Sequence, residues 1–337
     1  MNKLKPLPEE WSGLLNNEQK EAIENINGPL LIIAGAGSGK TRVLTYRYAH
    51  LIKTYGINFE NVLAITFTNK AANEMKDRIS DLLNLELSPK WISTFHSLCV
   101  KMLRIHGHLI GFNNNFTIYD QSDSTKLVRN CMRDSDIDTK QYSPKRIQAH
   151  ISSLKNQRIL PGEAVEFAQS FFDVKVAEIY SSYQKKLMLA NSMDFDDLLI
   201  KAVELLETSD KSLNYWSSKF QYIMIDEYQD TNMVQYRLVE LLASKHKNIC
   251  VVGDSDQSIY AFRGADIRNI EEFESDFKNA KVISLEKNYR SSQKILDIAN
   301  AVISNNPRKK DKKLWTDNDL SLIHISEPTR LLSIWVA

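Results

Sequence analysis

The amino-acid sequence predicts an α/β fold on a parallel sheet, interrupted by a helical insertion. Three observations carry this. Five short runs rich in Ile, Val and Leu (Pro29–Ala34, Asn61–Phe67, Tyr222–Ile225, Ile249–Gly253 and Lys281–Leu285) are bounded by turn residues, as expected of strands buried on both faces. Helical patterns such as Thr41–Lys53 and Lys70–Leu83 lie between them, the alternation of an α/β domain. From about Leu103 to Leu205 amphipathic helical segments follow one another with few strand candidates, which places an insertion between two parts of one domain.

The 337 residues suffice for roughly two domains, and 25% charged with 43% hydrophobic residues is an ordinary globular balance. A net charge of +1 gives no global signal for nucleic acid, so such a partner requires local patches. Cys99, Cys131 and Cys250 are far apart and show no metal-ligand spacing, which fits a reducing compartment. Neither a signal-peptide core nor a membrane-length apolar run occurs, and a cytoplasmic protein is the expectation.

The first strand run ends in "AGAGSGKTR", Ala34 to Arg42. It fits the phosphate-loop pattern except that Ala34 stands at the first glycine position. Gly35, Gly37 and Gly39 free the backbone, so that successive N–H groups face phosphates at the start of the helix. Lys40 is expected to neutralise the β and γ phosphates and Thr41 to hold Mg²⁺. A ligand-free glycine turn is the competing reading, and the strand before and helix after disfavour it.

A second run, "YIMIDEYQDTN" (Tyr222–Asn232), delivers Asp226 and Glu227 to a strand end, where open α/β sheets bind ligands. Asp226 is expected in the outer shell of Mg²⁺ and Glu227 as the base for an attacking water. A third run, "VVGDSDQSIYAFRGAD", offers Gln257 as a γ-phosphate sensor. Tyr260, Phe262 and Arg263 follow it, aromatics interleaved with a cation, which suits stacking on single-stranded bases. Core placement is the commoner fate of such aromatics. The basic run Asn305–Trp315 reads first as a solvated surface.

In their order, these stretches resemble the superfamily 1 DNA helicases of the UvrD/Rep/PcrA type. "LNNEQKEAI" is similar to the family's adenine-reading segment, which implies Gln19 as reader. "AGAGSGKTR" matches the nucleotide loop, implying contacts from Ala34, Gly35, Ala36, Gly37, Ser38, Gly39, Lys40, Thr41 and Arg42. "TFTNKAANEM" implies DNA contacts from Phe67 and Asn69, and "STFHSLC" places His96 near the DNA path. "DFDDLL" resembles the exit from the insertion. "LEKNYRSSQKIL" resembles the start of a second motor domain, with Tyr289 on the adenine and Arg290 on the γ-phosphate.

The resemblance implies a RecA-like motor domain, ATP and Mg²⁺ as cofactors, single-stranded and 3′-tailed duplex DNA as partners, and 3′-to-5′ movement. Implied units are 1–102 and 206–283 for the first motor domain, 103–205 for the insertion and 284–318 for a second domain only begun. Phe262 stands where the bacterial members usually have Trp, a smaller stacking face. The terminal 319–337 departs from the family and reads as a foreign tail on a truncated gene, a divergent C-terminus being the alternative. A truncated chain is expected to bind nucleotide and, weakly, single-stranded DNA, with poor turnover and no unwinding. The helicase subunit of a recombination nuclease and a non-catalytic nucleotide-binding module are the rival readings. A GTPase is disfavoured, since no guanine-reading Asn-Lys-x-Asp segment occurs.

Overall fold

The computed structural model describes residues 4–86, 89–261, 264–305 and 312–318. Its strands are β1 (Leu30–Ala34), β2 (Val62–Thr66), β3 (Ile92–Thr94), β4 (Thr117–Tyr119), β5 (Ser192–Asp194), β6 (Tyr222–Ile225), β7 (Ile249–Gly253) and β8 (Lys281–Leu285). Six of them form one parallel sheet in the order β3-β2-β6-β7-β1-β8.

Alternation along the strands divides the core. Leu31, Ile33, Leu63, Ile65, Ile223, Ile225 and Val251 face one side, against Trp91, Leu98, Trp216 and Leu238. Leu30, Ile32, Val62, Ala64, Met224, Cys250 and Val252 face the other, against Ile23, Val43 and Tyr48. Helices cover both faces, so the central strands β1, β2, β6 and β7 read as nearly unbroken apolar runs. Each buried aliphatic side chain contributes about 1.5–3 kcal/mol.

The strand runs expected from the sequence all lie in this sheet. The sixth strand, β3, is three residues long and two of them are Ser93 and Thr94, too short and polar to stand out. The insertion has its own core, centred on Val128, Met132, Ile151, Val176, Ile179, Tyr180 and Leu187. It is helical apart from a parallel two-stranded ribbon at its neck, where Thr117 to Tyr119 pair with Ser192 to Asp194. Beneath this ribbon Lys155 is fully buried; its Nζ donates to Asp194 at 2.6 Å and Asp197 at 2.8 Å. Burial opposes the ammonium charge, but the flanking Asp197 and Asp194 carboxylates outweigh it and hold the pKa above the ordinary lysine value.

The C-terminal edge of the sheet carries the polar residues. Short caps start helices directly at the strand ends: Thr68 accepts from Ala71 N after β2, and Thr94 from Ser97 N after β3. Among the described residues no helix is long and apolar enough to cross a membrane.

Candidate nucleotide and nucleic-acid site

The phosphate loop runs from β1 into the Lys40–Lys53 helix. Gly37 and Gly39 have φ of +72° and +90°, a region that L side chains rarely adopt. Added Cβ atoms would meet Asn288 at 2.7 Å over Gly37 and Gln19 at 2.8 Å over Gly39. Ser38 Oγ donates to Gly35 O at 2.8 Å and closes the turn.

Three adjacent strands supply the chemistry. β1 leads to Lys40 and Thr41, β6 to Asp226 and Glu227, and β7, between them, to Asp254 and Gln257. Lys40 Nζ lies 2.9 Å from Glu227 Oε2 and 3.5 Å from Gln257 Oε1. Thr41 Oγ1 is 3.4 Å from Asp226 Oδ2. Burial, with Glu227 beside it, pushes the Asp226 carboxyl up to about 6. Lys40, Thr41, Arg42, Ala36, Gly37, Gly39, Glu227, Gln257 and Arg290 line one cavity of about 360 Å³, together with Glu74 and Arg78.

Other expected nucleotide residues sit differently. Gln19 is buried and does not line this cavity; its Nε2 donates to Ser38 O at 3.1 Å and its Oε1 accepts from Asn16 N at 3.2 Å. Its amide therefore clamps the phosphate loop, while buried Arg47 anchors the same helix by donating to Ala22 O and Asn25 O, both at 2.7 Å. Ala34 and Ser38 are buried, and Gly35 is overlaid by Leu314. Tyr289 is half-exposed outside the cavity and donates its backbone N–H to Gly37 O.

The sequence reading missed three supports. Asn288 donates to Ala36 O at 2.6 Å and accepts from the Arg290 and Ser291 N–H groups. Gln229 joins Glu227 to Asp254. Lys312 reaches the Asp254 and Asp256 carboxylates. Asn288, in the turn after β8, had a local signal, since Asn favours turns; the other two pairings span strands and have none.

Beyond β6 the strand ends become aromatic. Phe67, after β2, stacks on Tyr260, with centroids 5.4 Å apart and planes 25° from parallel. Both, with His96, line a cavity of about 860 Å³ between the sheet edge and the insertion, rich in carboxamides from Gln148, Asn156, Asn232 and Gln235. Phe67 and His96 also join Asn69 and Lys101 along a second groove of about 530 Å³. Burial lowers the His96 pKa, favouring the neutral ring. Tyr260 and Phe67 are therefore cavity-lining rather than core residues. Phe262 and Arg263 lie outside the described residues.

Comparison with known proteins agrees with this geometry. The family model described as the UvrD/REP helicase N-terminal domain matches residues 15–278. The chain is 51% identical over 304 residues to the ATP-dependent DNA helicase PcrA of Staphylococcus aureus (strain Mu50 / ATCC 700699). It is 50% identical over 304 residues to that of Staphylococcus epidermidis (strain ATCC 12228 / FDA PCI 1200). Each alignment covers 90% of this chain and 42% of the relative's length. A RecA-like α/β motor with its phosphate loop, strand-end carboxylates and aromatic edge in this order belongs to the UvrD/REP helicase family, and this chain is a member of it.

Proposed function

We propose that this chain is the ATP-binding motor portion of a 3′-to-5′ DNA helicase of the cytoplasm, translocating on single-stranded DNA and opening 3′-tailed duplex. The observation that carries the reading is the convergence of Lys40, Thr41 and Glu227 at one cavity, with Asp226 against Thr41 at 3.4 Å. The two glycines at positive φ let the loop backbone turn its N–H groups towards a phosphate, and a Cβ at either would collide with Asn288 or Gln19. The hard oxygens of Thr41 and Asp226 suit Mg²⁺. When bound, Mg²⁺ neutralises phosphate charge.

The chain's own residues do the rest. The γ-phosphate competes with Glu227 for the Lys40 ammonium. Released from that ion pair, Glu227 takes the proton of the attacking water. Gln257 and Arg290, both lining the cavity, donate to the charge that develops on the phosphoryl oxygens. Neutral His96 and the Phe67–Tyr260 pair accept bases by stacking, which is tolerant of sequence. Tyr289 and Gln19 reach adenine only after rearrangement, Gln19 by giving up Ser38 O.

ATP hydrolysis by the purified chain, with and without single-stranded DNA, tests the reading beside Glu227→Gln. Turnover that rises with DNA and falls about 10²–10⁴-fold in the variant is expected of a general base. DNA-independent turnover, or a variant as active as the parent, refutes it. Binding to 3′-tailed against 5′-tailed duplexes, which needs no unwinding by this chain, tests the preference for a 3′ tail.

A further inference from the structure

Gln229 is 1% exposed and lies in the short turn after β6. It touches neither the nucleotide cavity nor the aromatic one. Its Nε2 donates to Glu227 Oε2 at 2.9 Å. Its Oε1 accepts from Asp254 N, at the end of β7, at 3.0 Å. A Cβ on Gly253 would lie 2.8 Å from that same oxygen, so the side chain fills the space over the last residue of β7. The Gln229 carbonyl accepts from Ser258 Oγ at 3.4 Å, and Tyr260, two residues on, stacks on Phe67.

These links close a ring. Asp254 accepts from Gln257, Gln257 faces Lys40, and Lys40 pairs with Glu227. A phosphate competing for Lys40 opens the ring on that side. The Gln229 side touches no ligand and stays closed. Movement of Glu227 is then carried to the β7 loop and on to Tyr260, and base stacking at Tyr260 acts back on Glu227 by the same amount. A carboxamide of this length donates to a carboxylate and accepts from a backbone N–H at once, which neither a thioether nor an ionised carboxylate does.

We propose that Gln229 is the positioning residue that couples the nucleotide carboxylate Glu227 to the nucleic-acid-facing loop after β7. This rests on the function proposed above. The test uses the 337-residue chain in three forms: parent, Gln229→Met (similar size, neither bond) and Gln229→Glu (acceptor kept, donor lost). Binding of a fluorescent ATP analogue is measured with and without oligodeoxythymidylate. Amide exchange over 254–261 is followed with and without the analogue.

In the parent, DNA is expected to shift nucleotide affinity about fivefold or more. In Gln229→Met that factor collapses towards one, while each ligand alone binds within about twofold of the parent. Gln229→Glu loses the factor but keeps protection at Asp254 N–H, which separates positioning from loop integrity. Survival of the factor in Gln229→Met overturns the proposal, as does an equal loss of both separate affinities in both variants, the mark of a merely structural role. If the parent shows no DNA effect, the DNA half of the proposed function fails and exchange decides. A nucleotide-induced change over 254–261 that disappears in Gln229→Met then upholds the coupling. One that persists, or is absent from the parent, sinks it.

Discussion

Two clusters of charged residues, one in the insertion and one at the sheet edge, use the same chemistry to different ends. In the insertion, Lys155 is bound by Asp194 and Asp197, Tyr183 Oη donates to Asp194 at 2.8 Å, and Gln184 donates to Asp197 at 3.0 Å. The Lys155 side chain is 0% exposed and those of its acid partners 9% and 3%. At the sheet edge Lys40 pairs with Glu227, but these side chains are 11% and 36% exposed and open onto a cavity. A sealed ion cluster has nothing to exchange with and serves the fold. One open to solvent can trade an internal partner for a ligand. Solvent access, not the bonding pattern, separates the two.

Substitution sharpens that contrast. Lys155→Met should cost about 3–5 kcal/mol, because it strands two carboxylates in the interior; chemical denaturation reads the loss, while nucleotide affinity of the folded fraction stays unchanged. Lys40→Met should do the reverse. Stability should change by no more than about 1 kcal/mol, since the pair is partly solvated, whereas nucleotide binding should weaken by about 1.5–3 kcal/mol, the worth of a charged hydrogen bond. Equal effects of the two substitutions on stability would erase the distinction.

The smallest effect belongs to Asp196, at the border between the two regions, where Asn156 Nδ2 donates to it at 3.3 Å and Asn156 Oδ1 accepts from Asn232 at 2.7 Å. Burial, and then Asp194, push its pKa up from 3.8 to about 6. A raised folded-state pKa favours the protonated native form, so its stability contribution is present below about pH 4 and lost as pH rises through about 6. Asp196→Asn mimics the protonated state. It should stabilise the protein by about 1 kcal/mol at pH 7, after allowance for partial exposure, and by nothing below pH ~4. A pH-independent difference between the two proteins would show that Asp196 carries no such strain.

Much of the site was legible because its signals are local. A strand must be a short apolar run, a phosphate loop must have glycines where φ is positive, and Asp226-Glu227 must follow a strand to reach its end. Those constraints act over a few residues and leave marks in consecutive letters. The helical insertion was legible for the same reason, as a long stretch lacking strand patterns. Its β4–β5 ribbon was not, because its two segments are three residues each and lie far apart in the chain.

Sequence by itself thus determined the α/β class, the elements that carry Lys40, Thr41, Asp226, Glu227 and Gln257, and their order along the chain. Only the tertiary structure decided which strand ends are neighbours, putting β7 between β1 and β6, and so which side chains close on one another. It also decided that Gln19 spends its amide on the phosphate loop and Gln229 on two strands at once. The physical reason is range. A carboxamide has the same donors and acceptors wherever it stands, and its partners, 25 residues away for Gln229 and Asp254, are chosen by packing and burial rather than by the residues beside it.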